Sequence, residues 1–128
     1  MEYVINKSVE KIGQECSKIT DDYESFQHLL KKLLKLGPTI IRMMDSSFHA
    51  DVEHYFLKSI RQVLPAVSEV HTPQMQIKNS DRKLILDFSS YGLMGYVIEH
   101  CNDSEYNFDQ DCRNLYHLMT QYRNVHKA

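Results

Sequence analysis

The stretch from Leu84 to Glu99 constrains this chain more than any other. Leu84, Phe88, Tyr91, Gly95 and Ile98 recur at steps of three and four residues, so they lie along one side of a helix. Leu86, Leu93, Val97 and Cys101 make a second apolar line, and Ile85, Gly92 and Tyr96 a third. A surface helix needs one apolar stripe. A helix with three has to be covered on most of its circumference. A small domain covers one side, and a second copy of the chain is the simplest cover for another. Self-association is therefore the first functional expectation, and a central helix in a monomeric bundle is its alternative.

The 128 residues suit one domain able to bury roughly two thirds of its unfolded surface. With 42% hydrophobic and 25% charged residues, the composition is that of an ordinary folded protein. No apolar run approaches the ~20 residues that span a bilayer, and no signal-peptide pattern opens the chain. A cytoplasmic protein with no membrane partner is expected. Lys and Arg total 15 against 17 acidic residues, for a net charge of -2. The basic residues are dispersed apart from Lys31, Lys32 and Lys35, so nothing resembles the basic stripe of a nucleic-acid reader. Cys16, Cys101 and Cys112 are odd in number and widely spaced, which fits reduced core thiols better than a disulfide or zinc framework.

Helical patterns fill the chain, and no sustained alternation marks a strand. The first helix is predicted over 2–19, burying Ile5, Val9, Ile12, Cys16 and Ile19, with Gly13 opposite that stripe. Asp21 and Asp22 supply a cap and favourable charge for a second helix over 23–36. Gly37-Pro38 is expected to stop it and start a short third helix over 39–45. A long helix over 50–70 follows, with Val52, Phe56, Ile60, Val63, Val67 and Val70 as its buried face and Pro65 bending it and freeing the Arg61 carbonyl. A loop over 71–79, the apolar helix beginning after Ser80, an acidic connection over 102–107 and a last helix over 108–126 complete the chain. The expected architecture is all-α: a single-domain bundle of about six helices spanning 1–128.

No motif carries catalysis. Ser46-Ser47 and Ser89-Ser90 lack a nucleophile elbow, and no phosphate loop or His-Glu-x-x-His pair is present. The acidic group Asp103, Glu105, Asp109 and Asp111 lacks calcium-loop spacing. The histidines and cysteines lack metal-ligand spacing, so neither enzyme, cofactor nor metal site is expected. The methionines and aromatics say more. Met43, Met44 and Met94 accompany Phe48, Phe56, Phe88 and Tyr91 on several helices, with His54, Tyr55, Asp87 and Tyr91 as polar anchors. Such a set lines an adaptable apolar pocket or simply packs a core. Asp87 stands out, because an unpaired carboxylate on so apolar a helix is costly.

The wording of Phe88 through Glu99, above all Tyr91-Gly92-Leu93-Met94-Gly95-Tyr96-Val97-Ile98-Glu99, resembles the C-terminal domain of TetR-family transcriptional regulators. The run from Tyr23 to Leu36, followed by a short helix near Met44-Asp45, looks like that family's middle helices. His100 stands where many members carry Trp, and Ser104 where a glycine often follows. The resemblance implies a homodimer whose last two long helices form a four-helix bundle with their mates. Carried over, the interface candidates are Gly92, Leu93, Tyr96, Val97, Leu115, Leu118, Met119 and Tyr122. It also implies a small-molecule effector, for which Met43, Met44, Phe48, Tyr55, Phe56, Ile60, Asp87, Phe88 and Tyr91 are the candidate contacts. The first helix looks like the end of the helix that joins the two domains of such regulators. No helix-turn-helix unit is read in these residues, so DNA is expected as a partner only through an N-terminal domain not present among them. The alternative is a helical interaction module with a solid core and no effector.

Overall fold

Ile5, Val9, Ile12 and Cys16 are all buried, and their spacing makes helix α1 (Glu2–Ser17) the narrow-faced helix expected. It stops two residues before Ile19. The Ser17 hydroxyl donates to the Gln14 carbonyl, and the Lys18 and Ile19 amides close short bonds to Glu15 and Cys16. The computed structural model describes residues 2–45, 48–71 and 79–127, with side chains described except over 66–71, at 79 and over 119–127.

Helix α2 (Asp22–Met44) begins as expected: Asp21 is extended, and its carboxylate accepts the Glu24 amide at 2.9 Å. It does not stop at Gly37-Pro38. The two helices expected over 23–36 and 39–45 are one, so the described residues form five helices rather than about six. A proline inside a helix costs about 3 kcal/mol or more. Burial on both sides of Pro38 opposes that cost. Leu29, Leu33, Ile40 and Met44 keep helical phase across it and all enter the core. Gly37 also presses into helix α4 (Asn79–His100) and the residue after it: a Cβ there would lie 2.5 Å from the Cys101 Cβ and 3.3 Å from Val97. Close backbone approach, not helix termination, is what this glycine does.

Helix α3 (His49–His71) carries Pro65 within it and buries Val52, Phe56 and Ile60. Val67 and Val70, expected on its buried face, lie outside the described side chains. Gly13 needs a correction of the same kind as Gly37. It is buried at the edge of the α1 stripe rather than opposite it, and a Cβ would come within 2.6 Å of Val63 on α3. Helix α1 is fastened to α2 by a reciprocal pair: the Ser25 hydroxyl donates to the Cys16 carbonyl at 3.2 Å, and the Cys16 thiol donates to the Ser25 carbonyl at 3.6 Å. His28 lies 3.2 Å from Glu15 across the same junction.

Helices α1 and α4 each pack on both α2 and α3, and the core lies among these four. Helix α5 (Phe108–Lys127) is capped by Asn107, whose side-chain oxygen accepts the Gln110 amide. It packs on α2, where Tyr116 meets Tyr23 with ring centroids 5.1 Å apart and Phe26 at 6.0 Å. The described residues are all-α with no strand.

Candidate ligand-binding and interface residues

Helix α4 has two apolar faces. Inward, Met94 and Val97 are in the core, Leu93 and Ile98 are packed against it, and the buried Ser90 satisfies its hydroxyl on the Leu86 carbonyl at 2.7 Å. Outward, Leu84 is 66% exposed, Phe88 82% and Tyr91 59%, with Ile85 also exposed. A Cβ placed on Gly92 or Gly95 would meet nothing within 4 Å. These residues make one continuous apolar strip along the helix, and Leu118 of α5 is also exposed. Isolated surface leucines are ordinary, whereas a contiguous apolar strip is not.

The candidate ligand contacts do not gather at one place. Phe56, Ile60 and Met44 are buried core residues, with Met43 and Tyr55 packed against them. Phe48 is exposed at the start of α3. Phe88 and Tyr91 stand on the outer face of α4, away from the core methionines. Asp87 is not free: it forms an ion pair with Arg61 of α3. A shallow depression of about 320 Å³ lies elsewhere, on the polar side of α1 between Lys7, Ser8, Glu10, Lys11 and Gln14.

The interface candidates also divide. Gly92 and Leu118 are exposed as an interface requires, whereas Val97 is fully buried within the chain and Leu93 and Leu115 are half-buried. Met119 and Tyr122 lie outside the described side chains. Tyr96 turns to the α4–α5 connection, where its hydroxyl shares a 2.5 Å hydrogen bond with Tyr106, and His100 stacks on the Tyr106 ring at 5.2 Å. Burial pushes both phenols above their ordinary value, and for Tyr106 its hydrogen bond to Tyr96 adds to the rise. Burial likewise holds the Cys16 thiol up at about 11, and Cys101 and Cys112 are raised for the same reason. Cys16 and Cys112 are buried free thiols and Cys101 is half-buried. Among the described residues no three potential ligands converge on a metal position, and no helix is long and apolar enough to cross a membrane.

Helix α4, whose apolar stripes the sequence singles out, does carry an exposed apolar line. Leu84, Ile85 and Gly95 were legible in the first apolar stripes, but the family's wording drew attention further along, to Val97. Arg61 had no sequence signal as the partner of Asp87, because the pairing depends on how α3 and α4 cross.

The described residues form a five-helix domain with one apolar helix face left outward. The chain belongs to a TetR C-terminal family: the family model described as a transcriptional regulator C-terminal region matches residues 20–121. That family is one of regulatory rather than enzymatic domains. No curated protein and no solved structure gives a match.

Proposed function

We propose that this chain is the regulatory and dimerisation region of a TetR-like cytoplasmic regulator, and that a second copy covers the outer strip of α4. The observation that carries this reading is the outward line of Leu84, Phe88 and Tyr91 beside the open Gly92 and Gly95. Each large apolar side chain withdrawn from water contributes roughly 1.5–3 kcal/mol. The open glycines let a second helix approach the backbone. An effector entering among α2, α3 and α4 would bias two arrangements of these helices, and α1 would carry the change to a DNA reader in an N-terminal domain outside these residues. Such an effector acts only through different affinities for the two arrangements.

The burial of Phe56, Ile60 and Met44 in one core cluster supports a second reading, an assembly module without effector. Native mass spectrometry of the purified chain separates these possibilities. A dimer of twice 15.1 kDa with added small-molecule mass is the result for a sensor. A dimer without added mass favours the solid-core module, and a clean monomer at tens of micromolar contradicts both. Substituting Met44 with a charged residue gives a second discrimination: a sensor loses its response and keeps its dimer, whereas a solid core unfolds.

A further inference from the structure

Of the five helices, α4 segregates its apolar and polar residues least. Hydrophobic burial is non-directional, so a helix apolar on both faces gains nearly as much when turned about its axis. Something other than hydrophobicity has to select which face points inward. At its C-terminal end the close approach of Gly37 to Cys101 and Val97 fixes the contact. Further toward the N-terminus the selecting feature is Asp87. It lies on the border between the two faces, one turn from the exposed Leu84 and Tyr91 and three residues from the buried Ser90. Its Oδ1 is closed to solvent and has no aligned hydrogen bond, so the Arg61 guanidinium is what compensates that oxygen. Arg61 is itself four residues before Pro65, on a helix that packs directly against α4.

We infer that the Arg61–Asp87 ion pair is the register lock of α4: it sets the rotation that keeps Leu84, Phe88 and Tyr91 outward for a second copy. Rotating α4 by one residue, about 100°, parts the two charges and leaves a partly buried carboxylate uncompensated, while the apolar burial changes little. The pair is half-exposed, with Arg61 42% and Asp87 32% accessible, but the Oδ1 it compensates is closed to solvent, and selection of register is the best-attested role of a charge pair in an apolar setting. Arg61 and Asp87 are thus positioning residues, acting through the strip. The consequence for assembly rests on the dimer reading proposed above.

The test has two readouts. Asp87→Asn and Arg61→Gln are expected to lower the fraction of protomers with the strip outward. If that fraction falls to about one third, the apparent dimer dissociation constant rises roughly tenfold, because both partners must be competent. Arg61→Lys, which keeps the charge, is expected to restore most of the affinity. The second readout is the amide NMR spectrum of residues 84–98 in the Phe88→Glu background, which removes the dimer from the comparison. Asp87→Asn is expected to double or broaden these resonances, and Arg61→Lys to leave one set. A single sharp set with Asp87→Asn, or an unchanged dimer constant accompanied only by a lower melting temperature, overturns the register lock. If the unmodified chain is monomeric, the dimer reading fails, and the α4 resonances still decide the lock.

Discussion

Phe56 and Phe88 are the same side chain on neighbouring helices, one wholly buried and the other 82% exposed. The glycines divide in the same way. Gly13 and Gly37 are pressed against Val63 and Cys101, while Gly92 and Gly95 face open space. On α3 the aromatic residue holds the protomer together, and on α4 the same chemistry is held outside it. The difference teaches that residue type and helical spacing specify burial without specifying by whom. The second copy proposed above is the surface that would cover α4.

The sharpest way to break this comparison is to truncate both phenylalanines. Phe56→Ala is expected to destabilise the protomer by about 3–5 kcal/mol, as for other buried aromatics. Phe88→Ala is expected to change protomer stability by less than about 0.5 kcal/mol, while weakening self-association at least about tenfold. Urea unfolding at low protein concentration and sedimentation across a dilution series measure the two effects separately. An equal loss of protomer stability would mean that Phe88 is buried in solution within its own chain.

The glycines sharpen the contrast with smaller changes. Gly13→Ala places a Cβ 2.6 Å from Val63 and is expected to cost about 1–3 kcal/mol. Gly92→Ala meets nothing within the chain and is expected to stabilise the protomer by about 0.5–1 kcal/mol through helix propensity. Thermal melts of the two variants should therefore move in opposite directions.

What the sequence made legible follows from these same residues. The α1 stripe, the Asp21 cap and the long α3 were readable because local spacing and local hydrogen bonding decide them. The continuation of α2 through Pro38 was not, since a backbone rule for termination was outweighed by burial of Ile40 and Met44 beyond it. Yet the phase of Leu29, Leu33, Ile40 and Met44 was present in the sequence, and it carried the better signal. For the site, the excess of apolar residues on α4 was visible, but which of its stripes faced inward was not. That choice depends on Arg61 and Gly37, which reach α4 from other helices.

The Asp21 cap gives a control remote from the α4 surface. Asp21→Ala is expected to cost about 1 kcal/mol of protomer stability, with no effect on self-association. The smallest effect concerns pH. The phenols of Tyr96 and Tyr106 are raised above 10.0, so the neutral hydroxyls are favoured in the folded chain. Their contribution is fully present below pH 10.0, and it is lost as pH rises through the folded-state values. Absorbance titration at ~295 nm should show two tyrosines ionising later than the others, and Tyr106→Phe should abolish that late phase for Tyr106.

Sedimentation equilibrium of the unmodified chain beside Phe88→Glu tests the central claim most directly, because it asks whether the outer strip of α4 is where two copies meet. The expected result is a dimer of twice 15.1 kDa for the unmodified chain and a folded monomer for the variant. A folded Phe88→Glu chain that remains as strongly dimeric as the parent, or a parent that is monomeric at tens of micromolar, contradicts it.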